Sequence, residues 1–432
     1  MADGRAAATL VACRDAMRLR PGAILGRHLA GNRDFARMWA SMTVSLLGDR
    51  FTSLALPTTA IVVLHAGPVT VGLLAMCGTI PDLLFSLVGG VLADRWSRRR
   101  LLVACDLMSG LAVASVPVAA AVGRLHMGQL YVASAVEGTS SLVGFLTFYA
   151  LLPAVAGRPA LSAANARLES SGQVTRVIGP GLAGLAIQWV GAARAMAFDA
   201  ASFVVSAALL GGIRHSAAGR RTAPATPFRA DLAAGARLVF GDRKLRRLAL
   251  CSATANFASG IGFAVYLVFL YRQAGMTPAQ VGLIATATAV VAPFITFNTP
   301  RIIARTGTAL ALIVSDLLFS VCWLLIPLGT HATAPLVFAV AWLLANLAGA
   351  VWNVSMITLR QAFTPDDMFG RMVAATKTIA TGSTPIGSVV GGALGAALGL
   401  RAALVIAGVI GLASMGFLFD RALLSSRAEA AA

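Results

Sequence analysis

Apolar runs of about 20 residues, separated by short stretches rich in arginine, glycine or proline, recur from residue 37 to residue 420. About 20 predominantly apolar residues are what a helix needs to cross the hydrocarbon of a bilayer. The runs predict helices at 37-64, 69-93, 101-122, 127-152, 163-190, 193-213, 247-271, 278-304, 308-329, 334-359, 372-399 and 401-420. The chain is therefore expected to be an all-α integral membrane protein with twelve transmembrane helices.

Lysine and arginine at alternate ends of these spans set the orientation. One side collects the seven arginines from Arg5 to Arg37, then Arg95 and Arg98 to Arg100, Arg158, the nine basic residues from Arg214 to Arg247, and Arg301, Arg305, Arg360, Arg371, Arg421 and Arg427. The other side has only Arg124, Arg194, Arg272 and Arg401. Both termini and the segment 214-246 are thus expected in the cytoplasm. The opening 36 residues lack the apolar stretch of about 7 to 15 residues that marks a cleavable signal.

The pattern also repeats. Val71-Gly72-Leu73 matches Val281-Gly282-Leu283, Arg95 matches Arg305, and Asp106-Leu107 matches Asp316-Leu317, each at a separation of 210 positions. A duplicated six-helix unit follows: a cytoplasmic N-terminal segment 1-36, a first bundle 37-213, a cytoplasmic linker 214-246, a second bundle 247-420 and a cytoplasmic tail 421-432. Two parallel halves with a site between them at mid-membrane are a transporter architecture.

Composition supports this picture. Hydrophobic residues make up 58% and charged residues 12%, against about 25% charged in soluble domains, so lipid must be part of the solvent. The net charge of +18 would suggest nucleic acid in a soluble protein. Here the basic residues fill gaps between apolar runs, with no basic face interleaved with aromatics, so the membrane surface accounts for them and no nucleic-acid partner is expected. The five cysteines and five histidines are scattered. They form no disulfide framework or metal spacing, and no metal or cofactor is expected.

Between the second and third spans stands Gly90-Val91-Leu92-Ala93-Asp94-Arg95-Trp96-Ser97-Arg98-Arg99-Arg100. It resembles the signature loop of the major facilitator superfamily, with Ser97 in place of the second glycine. Gly90 would allow close helix approach, Asp94 would cap a helix or pair with arginine across a gate that includes Arg95 and Arg98, and the arginines would anchor to the cytoplasmic leaflet. In the fifth span, Gly179-Pro180-Gly181-Leu182-Ala183-Gly184 reads as G-x-G-x-x-G, but no strand precedes it and Pro180 interrupts the helix that should open at a phosphate. It is similar to the fifth-helix signature of antiporter-type members, in which proline bends the helix and glycines allow tight packing. Asn32-Arg33-Asp34-Phe35, Ser45 to Asp49, Leu161 to Asn165 and Phe369 to Val373 resemble the twelve-span branch that includes enterobactin exporters and macrolide efflux proteins. The resemblance implies the two-bundle major facilitator fold. Many drug antiporters of the superfamily carry an arginine in the fourth helix, where this chain has Glu137-Gly138.

Ionisable residues cost roughly 2.5 to 3.5 kcal/mol each at the bilayer centre, so they need a reason. At a rise of about 1.5 Å per residue, Asp49, Asp82, Glu137 and Arg176 all fall near mid-depth, and all belong to the first half. They are the candidates for proton coupling or for binding a cationic substrate, with Arg176 alternately releasing and recapturing a carboxylate. Arg50 points about 100° away from Asp49 on a helix, which makes it a poor partner. Lys377 and Asp316 are expected nearer the cytoplasmic face, in the gate. Phe51, Phe85, Phe145, Phe148, Tyr149, Asn256, Phe263, Tyr266, Asn346, Trp352 and Asn353 are candidates for a cavity wall.

The sequence thus predicts a secondary active transporter, a monomer in the cell membrane, exporting small amphipathic molecules such as drugs, antibiotics or siderophores in exchange for protons. It lacks a G-x-x-x-x-G-K-[ST] loop and any nucleophile or metal constellation, so neither direct use of ATP nor an enzyme is expected. An importer or uniporter of the same fold is the nearer alternative. A non-transporting receptor is the more distant one.

Overall fold

A computed structural model describes residues 31–95, 97–214, 228–365 and 368–419, with the side chains at 85–95 and 228–233 outside the description. Among the described residues every regular element is helical. The first half comprises α1 (Arg33–Thr58), α2 (Pro68–Arg95), α3 (Arg98–Ala121), α4 (Met127–Ala156), α5 (Leu161–Val190) and α6 (Ala192–Gly211). After α7 (Phe228–Gly241) the second half follows as α8 (Arg243–Arg272), α9 (Pro278–Ala289), α10 (Val291–Thr306), α11 (Thr308–Leu325), α12 (Ala334–Ala362), α13 (Phe369–Ala397) and α14 (Leu400–Ser414).

Local chemistry sets the ends of these helices. Asn32 accepts the Asp34 and Phe35 amides and opens α1, and Asp242 accepts the Leu245 amide and opens α8. Ser97, which stands where the superfamily loop has glycine, accepts the Arg100 amide at 3.3 Å and caps α3. α1 ends in a π-helical turn, Thr59–Val63.

Two of the segments carry further detail. The eighth span crosses as expected, at Pro278–Thr306, but its helix is interrupted: Pro293 cannot donate to the Ala289 carbonyl, and the helix divides into α9 and α10 at Val290. The segment 214-246 contains a helix, α7, which packs Val239 with Leu245, Ala249, Met372 and Ala375.

Among the described residues, nine spans are long and apolar enough to cross a membrane by length and composition. The polar residues of α5 and α13, including Arg167, Arg176, Arg371 and Lys377, explain why these two long helices read as less apolar. Leu111, Val118, Trp189, Phe294 and Phe297 are exposed on the outside of the bundle, where lipid takes the place of a protein neighbour.

Packing divides the molecule by depth. At the end carrying the α1–α2 and α8–α9 connections, one buried cluster joins both halves, running from Leu54, Ile61 and Val71 to Ile261, Phe269, Trp323 and Leu404. At the opposite end, which carries the start of α1 and the α2–α3 connection, the apolar clusters separate. Phe35, Met38, Leu102, Leu151 and Leu210 belong to the first half, and Leu248, Leu312, Met356 and Leu359 to the second. The halves are therefore sealed together at one end and have independent cores at the other.

Glycine makes the seal. A Cβ at Gly184 on α5 would lie 2.6 Å from the Pro278 carbonyl oxygen and 3.0 Å from the Gly282 Cα on α9. On the other side of the molecule a Cβ at Gly392 on α13 would lie 2.7 Å from the Pro68 oxygen and 3.0 Å from the Val69 Cα on α2. Pro68 and Pro278 occupy equivalent positions in the sequence repeat, as do Gly72 and Gly282. The tyrosine hydroxyl of Tyr271 meets Thr58 at 3.0 Å, and Arg272 donates to the carbonyls of Ile61 and Ala66. These contacts close the same end.

Candidate functional site

The carboxylates of Asp49 on α1, Glu137 on α4 and Asp199 on α6 offer oxygens that all lie within 4.8 Å of one another. Asp199 is fully buried. Its Oδ1 accepts the Ser202 hydroxyl at 3.0 Å, while Oδ2 is buried with no hydrogen-bond partner among the described residues. Gly48 makes the approach possible, since a Cβ there would collide with Oδ1 of Asp199 and lie 2.7 Å from the Ser202 Cβ. A fourth carboxylate, Asp106 on α3, also buries an Oδ2 with no hydrogen-bond partner among the described residues.

Two cavities flank this cluster. Glu137 lines one of about 600 Å³, together with Thr52, Leu74, Thr79, Asp82, Ser134, Phe145 and, from the second half, Lys377. Asp49 and Asp106 line a smaller one of about 120 Å³, with Ser41, Ser45, Ser140, Phe148, Tyr149 and Ser206. Carboxylates thus run from one cavity to the other through the first bundle.

The second half repeats the cavity without repeating the cluster. About 180 Å³ is enclosed by Asn256, Ser259, Asp316, Trp352 and Asn353. By the 210-residue offset Ser259 stands where Asp49 stands and Asp316 where Asp106 stands. Asp316 accepts the Ser414 hydroxyl at 2.6 Å, with the Cys251 thiol 3.9 Å away. Asp316 is therefore held inside the second bundle rather than in a gate between the halves. Phe263 and Tyr266 are likewise taken up by an aromatic group with Trp323 and Trp342.

Asp49 and Glu137 come together, and Asp82 faces the same large cavity as Glu137. Arg176 does not join them. It is exposed, and no hydrogen bond or ion pair reaches it among the described residues. The cation beside it is Arg50, whose shaft packs against Gly179, where a Cβ would lie 2.7 Å from the Arg50 Cβ. Gly179 accordingly makes room for Arg50. Pro180 removes the amide that would reach the Arg176 carbonyl, and the next amide, of Gly181, donates to Thr286 Oγ1 of α9 at 2.9 Å. Lys377, expected in the gate, instead lines the large cavity together with Asp82.

Of the signature loop, Gly90, Asp94 and Arg95 have side chains outside the described residues. Arg98 donates to the Ala150 carbonyl of α4 at 2.9 Å and Arg99 to the Ile213 carbonyl after α6 at 2.8 Å. Both arginines expected to reach for lipid are thus engaged with backbone carbonyls, and the one that Arg99 meets lies just beyond the C-terminal end of α6, where a cation is favoured.

Asp199 was absent from the sequence reading. Its signal was available: an aspartate in the middle of an apolar span, with Ser202 and Ser206 on the same face, three and seven residues on.

Residues 30–431 match the family model described as transmembrane secretion effector. The chain belongs to that family. Among curated relatives, the multidrug efflux pump Tap of Mycolicibacterium fortuitum is 26% identical over 379 residues, covering 84% of this chain and 90% of that protein. The enterobactin exporter EntS of Salmonella typhi is 25% identical over 335 residues, covering 77% and 78%. Among solved structures, the nucleoside transporter NupG has a TM-score of 0.71 at 12% identity, covering 90% of this chain and 100% of that one. A bacterial homologue of the iron transporter ferroportin, in an inward-facing state, has a TM-score of 0.68 at 19% identity, with 90% and 99% covered. The chain is a multi-pass membrane transporter with the all-α major facilitator fold, and its family and relatives are transporters rather than enzymes.

Proposed function

We propose that the protein is a proton-coupled exporter of small amphipathic molecules. It works as a monomer in the cell membrane, with both termini cytoplasmic and the bundles 37-213 and 247-420 rocking about the linker 214-246. The observation that carries this reading is the Asp49–Glu137–Asp199 cluster on the wall of a cavity that also reaches the second half. Carboxylates so close in apolar surroundings cannot all be ionised, so the cluster holds exchangeable protons. A substrate entering the large cavity meets Glu137 directly. Its binding and the release of a proton then compete for one group, which is the coupling an antiporter requires.

From the basic residues at the ends of the helices we take the sealed end as the outer one and the end with separate cores as the cytoplasmic one. The state described here is then closed outwards, and substrate reaches the cavity from the cytoplasm or the inner leaflet. Rocking requires the glycine seals to part and the cytoplasmic ends to meet. Asp94, Arg95 and Arg98 are our candidates for the latter contact.

The test is reconstitution. Purified protein in proteoliposomes should drive uphill movement of a fluorescent amphipathic dye under an imposed proton gradient, and a protonophore should abolish it. Dye movement that ignores the gradient in both directions would reduce the protein to a uniporter.

A further inference from the structure

The large cavity carries both signs of charge on opposite halves of the molecule. Asp82 on α2 and Glu137 on α4 belong to the first bundle, and Lys377 on α13 to the second. Lys377 and Asp82 line the same cavity, yet among the described residues the two form no ion pair and no hydrogen bond reaches the Lys377 ammonium. An ammonium and a carboxylate that line one cavity without pairing are an unusual arrangement at membrane depth, where pairing is the ordinary way of reducing the cost of charge. The intervening volume, about 600 Å³, lies within the roughly 300–1,000 Å³ of sites for drug-sized ligands. The rest of the wall is apolar or hydroxyl-bearing, with Leu74, Phe145, Thr79 and Ser134 among its residues.

We infer that the cavity selects amphipathic zwitterions, whose ammonium meets Asp82 and Glu137 and whose carboxylate or other anionic group meets Lys377. This rests on the proposal that the cavity is the transport site and narrows its substrate class. A ligand that is only cationic leaves Lys377 unpaired and adds like charge to it, and a purely anionic one does the same to the two carboxylates. The zwitterion alone satisfies both walls. It also bridges the two halves, so its binding energy is available to draw them together.

Nε-dansyl-lysine is a suitable probe, since its fluorescence rises in apolar surroundings and its head is an ammonium next to a carboxylate. Its methyl ester is cationic only, its Nα-acetyl derivative anionic only, and the doubly blocked compound neutral. Equilibrium binding to the full-length protein in nanodiscs should favour the zwitterion at least tenfold over each of the other three. Lys377→Gln should erase its advantage over the ester, and Lys377→Arg should keep it. Asp82→Asn should erase or sharply reduce its advantage over the acetylated anion. Equal affinity for zwitterion and ester in the unaltered protein, or binding of none of the four, overturns the inference, as does a preference that survives Lys377→Gln. Each variant is first required to elute as one species with unchanged thermal stability, and Lys377→Arg guards against a fault of folding. The two readings fail separately. Discrimination without gradient-driven efflux removes the exporter alone, whereas efflux of other amphipaths without discrimination removes the zwitterion site alone.

Discussion

Gly184→Ala adds one methyl group where the backbone of α9 already stands. The new Cβ would lie 2.6 Å from the Pro278 oxygen and 3.0 Å from the Gly282 Cα, against about 3.4 Å for ordinary contact. Both obstacles are backbone atoms of a helix, so no side chain can swing away. The α5 and α9 segments must part by nearly an ångström, and overpacking of this kind costs about 1 to 3 kcal/mol. In the rocking mechanism that cost falls on the state sealed at this end, because the contact is broken in the other. A change of that size shifts the balance about five- to 150-fold. A sealed state held at about 99% would fall to somewhere between about 95% and about 40%. Spin labels at Arg124 and Ala332, on loops of the first and second halves at the sealed end, would report the change in a cysteine-free background by double electron–electron resonance. A longer distance should gain population in Gly184→Ala and gain it again in Gly282→Ala. Gly370→Ala serves as control, since nothing lies within 4 Å of a Cβ there. An unaltered distribution in Gly184→Ala, with unaltered stability, would show that the two helices do not depend on this approach.

Four further outcomes follow from the site and its orientation. Glu137→Gln and Asp199→Asn should each abolish uphill efflux in proteoliposomes while leaving exchange of substrate across the membrane measurable, and retained gradient-driven efflux in both would remove the cluster from coupling. Gly48→Ala should push the Asp199 carboxylate off α1 and lower stability by about 1 to 3 kcal/mol, read as a fall in Tm; an unchanged Tm would mean that α6 relaxes freely there. Pro180→Ala should restore the amide facing the Arg176 carbonyl and raise Tm, yet slow transport by stiffening α5, whereas normal transport would leave the proline a packing residue only. A cysteine at Arg124 should react with an impermeant thiol reagent in intact cells and one at Arg158 should resist it, and the reverse would invert the proposed orientation.

The helices and their resemblance to a known superfamily were legible in the sequence because each depends on neighbouring residues. Apolar runs of membrane length, arginine-rich gaps and the Gly-Pro signature of the fifth span are all local features. Local rules also account for the caps at Asn32, Ser97 and Asp242. The division of the eighth span was equally local, since Pro293 stands in the sequence for anyone who asks which amide α9 loses. The site was legible only in part. Depth along a helix can be counted from residue numbers, which brought Asp49, Asp82 and Glu137 to the same level. The azimuth at which a side chain faces its neighbours depends on how the helices are rotated against one another, and in a bundle with apolar residues on nearly every face no periodicity reports that rotation. For this reason Arg176, at the right depth, lies away from the carboxylates, and Lys377, assigned to a gate, lines the cavity. Asp199 joins a cluster with partners 62 and 150 positions away in the chain. Close approach was the other thing the sequence could not specify. Gly48, Gly184 and Gly282 look like any other small residues in membrane helices, and only the tertiary structure decides which of them has a carboxylate or a backbone where its side chain would be.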